Sequence, residues 1–557
     1  MIRKQLIIST LIGLSSFALP LQAQTIINQA FEQSIVIPEK GAGQYLWLPI
    51  QDNAPEGRVC ILINNHEVAA HNVRLAREKA DYYVALDLEQ YLNEEGLKVV
   101  VQNMPAGSIC FKTMKQNSDK NYQIISEKFR PEYHHTPERG WMNDPNGMFY
   151  KDGVWHLYYQ YNPYGSLWGN MHWAHSTSKD LVHWEHQPVA LTPDSWGTMF
   201  SGSCIVDKDN TVGFGKDAVI AMYTTSRPTP FGGDVQAQSL AYSTDGGQTF
   251  TKYSGNPVLT ADIPDFRDPN MFWNDDIKAW NLIMSAGQEM RIYSSPNLKD
   301  WKEESRFGLE LGCHGGVWEC PDLMKLKVEG SNESKWVLFC NINPGGPFGG
   351  SATQYFIGNF DGHKFTVDNE SRYQKGNALW QDYGKDHYAT VSFSNAPDGR
   401  HPMIAWMSNW QYANNVPTQQ YRSANSIVRD PFLYKGTDGQ IYLGSRPGPE
   451  YNNAGLDKEI KIKGSKTITL SNQEGNEATI IYDEKAMTLT FDRSKSGIND
   501  FSQDFNVKTV APLHKKITSI RIFIDNSSVE VFGNNGEVVL TNLVFPKSKF
   551  TDIKVSK

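Results

Sequence analysis

A loosely repeated segment recurs four times in the middle of the chain, and it restricts the fold more than any other feature. Ser176-Thr-Ser-Lys-Asp-Leu-Val-His-Trp184, Ser243-Thr-Asp-Gly-Gly-Gln-Thr-Phe250, Ser294-Ser-Pro-Asn-Leu-Lys-Asp-Trp301 and Asn359-Phe-Asp-Gly-His-Lys-Phe365 share one form. Each runs from a Ser or Asn, through turn residues that include an acid, to an aromatic. Recurrence of a strand-turn-strand signal every 50 to 65 residues or so suggests radial repetition of small sheets, which leaves only short protected edges. Each copy would mark the turn between the outer strands of one four-stranded propeller blade. The span from about 123 to 450 has room for five such blades.

The flanks read as β-structure too. Tyr45-Leu-Trp-Leu-Pro-Ile50, Val59-Cys-Ile-Leu-Ile63 and Leu97-Lys-Val-Val-Val101 predict strands of a small sandwich-like domain over 24–122. The polar run Gln116-Asn-Ser-Asp-Lys-Asn121 is expected as a linker. After 450, Thr467–Leu470, Met487–Phe491, Thr518–Ile524 and Val529–Phe532 alternate with period two, which predicts a C-terminal β-sandwich over 451–557. The expected architecture is therefore all-β: accessory domain, five-bladed β-propeller, sandwich.

Residues 1–23 carry the pattern of an export signal. Arg3 and Lys4 precede a largely apolar run, and Leu21-Gln-Ala23 resembles a cleavage site. Secretion to the periplasm or the cell exterior is expected, without membrane insertion. A net charge of −8 argues against nucleic acid or an anionic membrane as partner, both of which need a basic face. Aromatics at 12% suit a neutral, ring-shaped ligand such as a carbohydrate. Six cysteines are too few for a disulfide scaffold, although Cys60 could pair with Cys110. His134-His135 and His172/His175 lack a convincing third ligand, so no metal or other cofactor is expected.

Three carboxylates fall in distinctive surroundings on separate blades. Asp144 follows an aromatic in Trp141-Met-Asn-Asp-Pro-Asn-Gly147, where Pro145 and Gly147 predict a turn at the end of an extended segment. Asp268 lies in Phe266-Arg-Asp-Pro-Asn270, and Glu319 in Trp318-Glu-Cys-Pro-Asp322. A propeller brings the inner strands of its blades to one axis, so distant acids can meet there. Glycoside hydrolysis needs such a pair, one as nucleophile or base and one as proton donor. Trp380, Trp406 and Trp410 are core residues or borders of a sugar subsite; the sequence leaves both open.

These segments, with Tyr159-Gln-Tyr-Asn-Pro163, Trp168-Gly-Asn-Met-His-Trp173, Phe200-Ser-Gly202 and Asp382-Tyr-Gly-Lys-Asp-His-Tyr-Ala389, resemble the glycoside hydrolase family 32 β-fructofuranosidases, the invertases, inulinases and levanases. The resemblance covers roughly 123 to 557, while the first domain resembles an accessory domain of some secreted bacterial members. It implies Asp144 as nucleophile, Glu319 as acid/base and Asp268 as transition-state stabiliser. It also implies that Asn143, Gln160, Trp168, Phe200, Ser201 and Arg267 line the terminal-fructose pocket. The expected activity is retaining exo-hydrolysis of fructans, fructo-oligosaccharides and sucrose. Endo-cleavage of levan or inulin is the close alternative, and a non-catalytic fructan-binding protein the more distant one.

Overall fold

The four repeat segments close the same turn in four consecutive sheets. In the computed structural model, which describes residues 34–36, 38, 41–120, 125–229 and 232–557, each segment joins the third strand of a blade to its fourth. The acid or amide of the repeat does the work. Asp180 Oδ1 accepts the backbone N–H groups of Val182 and His183 at 2.9 and 2.8 Å, and Asp245 Oδ1 accepts those of Gln248 and Thr249 at 3.1 and 3.0 Å. Asn297 and Asp361 do likewise in their blades. A short polar side chain thus satisfies amides that a tight turn leaves unpaired.

Five four-stranded antiparallel blades follow one another. Their first, inner strands are Gly140–Lys151, Thr198–Asp207, Phe266–Asn274, Val317–Lys327 and Tyr388–Ser392, in blades I to V. Blade V has a comparable turn outside the four repeats. Asp438 accepts from Gln440 N and from the Tyr442 hydroxyl between the last two strands. Tyr421–Arg422 runs parallel to Gly140–Trp141 and hydrogen-bonds blade V's own excursion to the first strand of blade I.

Every inner strand breaks its pairing at the same level. The register slips between Met142 and Pro145, Met199 and Gly202, Arg267 and Asn270, Glu319 and Asp322, and Tyr388 and Val391. Such bulges bend a strand and re-aim its side chains. The Asn-Asp-Pro-Asn-Gly run is therefore not the turn expected from its composition. It lies inside the strand Gly140–Lys151, and Gly147 sits at a second irregularity with φ of +49°. A Cβ there would lie 2.5 Å from the Trp173 ring.

After Pro447 the chain forms two packed sheets. One holds Asp457–Lys461, Ser519–Ile524, Ser528–Gly533 and Val538–Leu543; the other holds Lys466–Ser471, Glu477–Asp483, Thr488–Lys495, Thr509–Pro512 and Asp552–Ser556. Alternate residues Ile468, Leu470, Ile480, Phe491, Ile520, Ile522, Val529 and Val531 fill the space between them. A cluster of buried charges joins this sandwich to the propeller. Arg429 donates to Asp382 at 2.8 Å and to Glu530. Arg493 reaches Asp386 at 2.6 Å, and the Tyr412 hydroxyl donates to the same carboxylate. His134 bridges Asp525 and Glu530 at 2.8 Å each.

The N-terminal compact unit has its own core. Four strands (Ser34–Val36, Lys98–Gln102, Gly57–Ile63, His66–Val73) form one sheet, and Tyr82–Asp87, Tyr45–Ile50 and Lys115–Asn117 form another. Leu46, Leu48, Val59, Ile61, Val99 and Val101 are buried in it. The run expected as a linker from Gln116 thus begins as the end of an edge strand. Cys60 and Cys110 are both free thiols, as are the other four cysteines, so the conceivable pair is not formed. The export signal expected at 1–23 lies outside the described residues.

The charge cluster predicts how stability depends on pH. Burial disfavours the imidazolium of His134, but Asp525 and Glu530 outweigh it and hold its pKa up to about 9. Its contribution is therefore complete below about 6.5, the unfolded value, and is lost as pH rises through 9. Glu530 is held down to about 2 by Arg429 and His134 against the cost of burial, so its share is lost only as pH falls through that value. His134→Gln should cost on the order of 3 kcal/mol at pH 6, because it strands buried carboxylates. Thermal midpoints of the two proteins, followed from pH 6 to 10, should converge as wild-type His134 loses its proton.

Candidate active site

Three of the bulges deliver the three carboxylates. Asp144 occupies the bulge of blade I, Asp268 that of blade III, and Glu319 immediately precedes that of blade IV. Asp268 and Cys320 both have left-handed backbone, with φ of +63° and +40°. Such conformations cost of order 1–3 kcal/mol each for a residue with a Cβ and persist only where neighbours enforce them. Here the enforcing bonds are visible. The N–H of Cys320 donates to Asp268 Oδ2 at 2.9 Å, and the N–H of Asp268 donates to Thr224 Oγ1 at 3.1 Å.

The acids are wired to one another. The Cys320 thiol reaches Asp144 Oδ2 at 3.3 Å and Asp268 Oδ2 at 3.5 Å, so one sulfur touches both carboxylates. Ser201 Oγ donates to Asp144 Oδ2 at 2.7 Å, and Asn143 Nδ2 donates to Oδ1 at 3.0 Å. Trp141 Nε1 fixes the Asn143 amide at 2.8 Å. Arg267 donates to Glu319 Oε1 at 2.8 Å through Nη2 and to Asp265 at 2.6 Å through Nη1. The Tyr388 hydroxyl donates to the other oxygen of Glu319.

Crowding acids in a buried site shifts their protonation. Burial raises the pKa of Asp144, and the charge of Glu319 raises it further, while bonds from Ser201, Asn143 and Cys320 pull it back. Burial also lifts Asp268 above the ordinary carboxylate value, against the pull of Arg267. Arg267 pays for its own burial but is surrounded by Glu319, Asp268 and Asp265, which hold its pKa above the usual guanidinium value. The Cys320 thiol is driven well above its normal range by burial and by the neighbouring acids, so it is a neutral donor rather than a nucleophile.

Aromatic rings wall the Asp144 side. Trp410 packs on Trp141 (5.7 Å between centroids), Trp406 (4.8 Å) and edge-on against Trp168 (6.4 Å), and Trp168 meets Phe200 at 6.2 Å. Trp168 is 44% exposed, and its backbone N–H donates to Asn414 Oδ1, tying the blade I loop to blade V. Trp406 and Trp410 thus belong to the site's surroundings. Trp380 is half-buried on an edge strand of blade IV, opposite Gln354 in the ladder. Gln160 is joined to Asp144 through Asn146 and Ser201. The Asn146 amide, oriented to satisfy its neighbours, accepts from Gln160 Nε2 at 2.9 Å and donates to Ser201 Oγ at 3.2 Å.

Behind the acids lies a cavity of about 640 Å³ lined by all five inner strands, through residues such as Pro145, Ser203, Asn270, Asp322 and Ser392. The histidines singled out in the sequence have other partners. His134 binds Asp525 and Glu530, His135 binds Asn425 and Ser176, His172 binds the Asn170 carbonyl, and His175 binds His156. Among the described residues no three His, Cys, Asp or Glu side chains cluster as metal ligands.

Residues 134–444 match the glycosyl hydrolases family 32 N-terminal domain, and 441–557 match the family's C-terminal domain. The chain belongs to glycoside hydrolase family 32. It is 45% identical to the levanase of Bacillus subtilis (strain 168) over 77% of this chain and 68% of that one. With an extracellular exo-inulinase of Aspergillus awamori it shares 38% identity over 76% and 90%. The crystal structure of exo-inulinase from Aspergillus awamori superposes with a TM-score of 0.70 at 36% identity, covering 78% of this chain and 96% of that one. A fructofuranosidase from Schwanniomyces occidentalis complexed with fructose gives 0.68 at 34% identity, covering 76% and 94%. Residues 32–133 match a domain of unknown function (DUF4980).

The candidate site also contains residues without a distinctive sequence signal, Asp265, Thr224 and Asn341, and one within a family-like run, Tyr388 in Asp382–Ala389. Ser201→Ala removes a donor that favours the ionised form of Asp144, so the Asp144 pKa rises. Any step that needs Asp144 ionised should then show its acidic limb at higher pH, read from kcat/KM against pH.

Proposed function

We propose that this family 32 hydrolase is a retaining, exo-acting β-fructosidase that releases terminal fructose from fructans, fructo-oligosaccharides and sucrose. The observation that carries the reading is the linked set Asp144, Asp268 and Glu319, delivered by three blades and joined through Cys320 and Arg267. Asp144 is the nucleophile. It is held by three donors on its two oxygens, which fixes the carboxylate for attack on the anomeric carbon. Glu319, held by Arg267 and Tyr388, protonates the departing oxygen and then activates the water that frees the fructosyl-enzyme. Asp268 and Arg267 hold the sugar hydroxyls, and Asp268 strengthens its bonds as positive charge develops on the ring.

The exo reading rests on the Trp168–Trp410–Phe200 wall and on the Trp168–Asn414 bond, which narrow the approach to Asp144. Similarity to an extracellular exo-inulinase supports it, and together with the apolar N-terminal run it supports secretion. The accessory unit over 24–122 is proposed as a domain separate from catalysis.

Asp144→Asn and Glu319→Gln should each lower kcat on sucrose by about 10³-fold or more, as expected when a member of a concerted set is removed. Near-normal turnover in either would refute its role. Chromatography of early products on levan and inulin should show fructose alone; a ladder of oligosaccharides would establish endo-cleavage instead. Carbon-13 NMR of the first-formed fructose should show the C2 signal of the β-furanose form before mutarotation, as retention requires.

A further inference from the structure

Two of the bulges that shape the site share one buried side chain. Asn341 lies on the second strand of blade IV, opposite Glu319 in the ladder, and is fully buried. Its Nδ2 donates to the carbonyl of Cys320 at 2.8 Å and to that of Thr390 at 3.4 Å. Its Oδ1 accepts the backbone N–H of Thr390 at 3.1 Å and the hydroxyl of Thr353 at 2.6 Å. Both donors meet acceptors and both donations meet the oxygen, so only one orientation of the amide satisfies the four contacts.

One of the residues held is strained and the other adjoins a strained one. Cys320, with φ of +40°, follows Glu319, and Ala389, with φ of +54°, follows Tyr388 and precedes Thr390. One amide therefore pins the bulge carrying Glu319 to the bulge carrying the tyrosine that donates to Glu319. A related device holds the other acid. Thr224, on the second strand of blade II, accepts the N–H of Asp268 and donates to Gln238 at 2.7 Å, and Gln238 Nε2 donates to the Phe266 carbonyl at 2.8 Å. Left-handed backbone at non-glycine residues survives only when surrounding bonds over-determine it. Removing the bridge would let the two bulges relax independently.

We propose that Asn341 is a positioning residue for proton transfer: it locks the Glu319 bulge against the Tyr388 bulge, so that Glu319 meets the leaving oxygen in one geometry. The inference rests on the assignment of Glu319 as the acid. It predicts a defect in protonating the leaving group rather than in binding fructose or in attack by Asp144.

The test compares two substrates. Sucrose needs a proton on its leaving oxygen; a nitrophenyl β-fructofuranoside has a leaving group that departs without one. For Asn341→Asp, which keeps the acceptor but loses the amide donor, kcat on sucrose should fall about 10- to 100-fold with KM within about threefold, the usual cost of a misplaced catalytic group. The value of kcat/KM on the nitrophenyl substrate should fall by less than about fivefold, because little acid assistance is lost there. Thr353→Val removes only the hydroxyl that steadies Asn341 Oδ1 and should give a smaller split in the same direction. Equal losses on both substrates, or none, in a folded variant overturn the proposal, and Thr353→Val decides the matter if Asn341→Asp does not fold. Glu319→Gln is the control. It must itself spare the nitrophenyl substrate in kcat/KM; if it does not, the acid assignment is wrong and the inference falls with it. If the control behaves and the Asn341 variant does not, only the inference fails.

Discussion

The bulge in each inner strand is the constraint on which the rest of this molecule depends. Side chains on a regular strand alternate between its two faces, and in a propeller both faces are committed to packing against neighbouring blades. Slipping the register frees a short piece of strand from that alternation. The slip occurs at the same level in all five blades, so the freed positions gather around one axis. Asp144, Ser201 and Asp268 are bulge residues, and Glu319 and Tyr388 stand at the edge of one. The site is thus a property of the ring, and no single blade contains enough of it to work.

Placing three carboxylates so close would be untenable without compensation. Each loses hydration, and each raises its neighbours' cost of ionisation. The structure offsets this in different ways for different acids. Glu319 has a guanidinium and a phenol, one for each oxygen. Asp144 has only neutral donors, the hydroxyl of Ser201, the amide of Asn143 and the thiol of Cys320. Neutral donors steady a carboxylate without adding a positive charge that would oppose the cationic character developing on a sugar ring. Cys320 suits its place because a thiol is a weak donor with no tendency to ionise there.

What was legible in the sequence was what is local. The Ser…Asp…Trp segments could be read as blade turns because the side chain that makes each turn lies within a few residues of the amides it satisfies. The same local logic failed at Asn143-Asp-Pro-Asn-Gly147, where good turn chemistry is overridden by strand pairing on both sides and used to build bulges instead. Asp438 falls outside the repeat because Gly436 stands where the other turns have Ser or Asn two residues before the acid or amide. Thr224 and Asn341 were beyond reach for another reason. They are ordinary residues in ordinary strands, and their importance comes from bonds to segments 44 and 49 residues away. Trp410 was left open because a buried tryptophan and a wall tryptophan look alike until the partner rings are known.

The buried charges between propeller and sandwich follow from the same closure problem. Blade V is the least regular; its second and third strands pair at a single position, Met403 with Arg429. That Arg429 is the residue whose guanidinium crosses to Asp382 and Glu530. Asp382 and Asp386 in turn accept backbone N–H groups of the sandwich, Thr541 at 2.9 Å and Leu543 at 2.8 Å. Two residues beyond Asp386 the chain reaches Tyr388 and its bond to Glu319. The run from Asp382 to Tyr388 is therefore anchored to the sandwich at one end and to Glu319 at the other. The least regular blade is thus tied to the domain behind it, and the bonds of the sandwich reach within two residues of the tyrosine that holds Glu319, although none of the proposed catalytic groups comes from the sandwich.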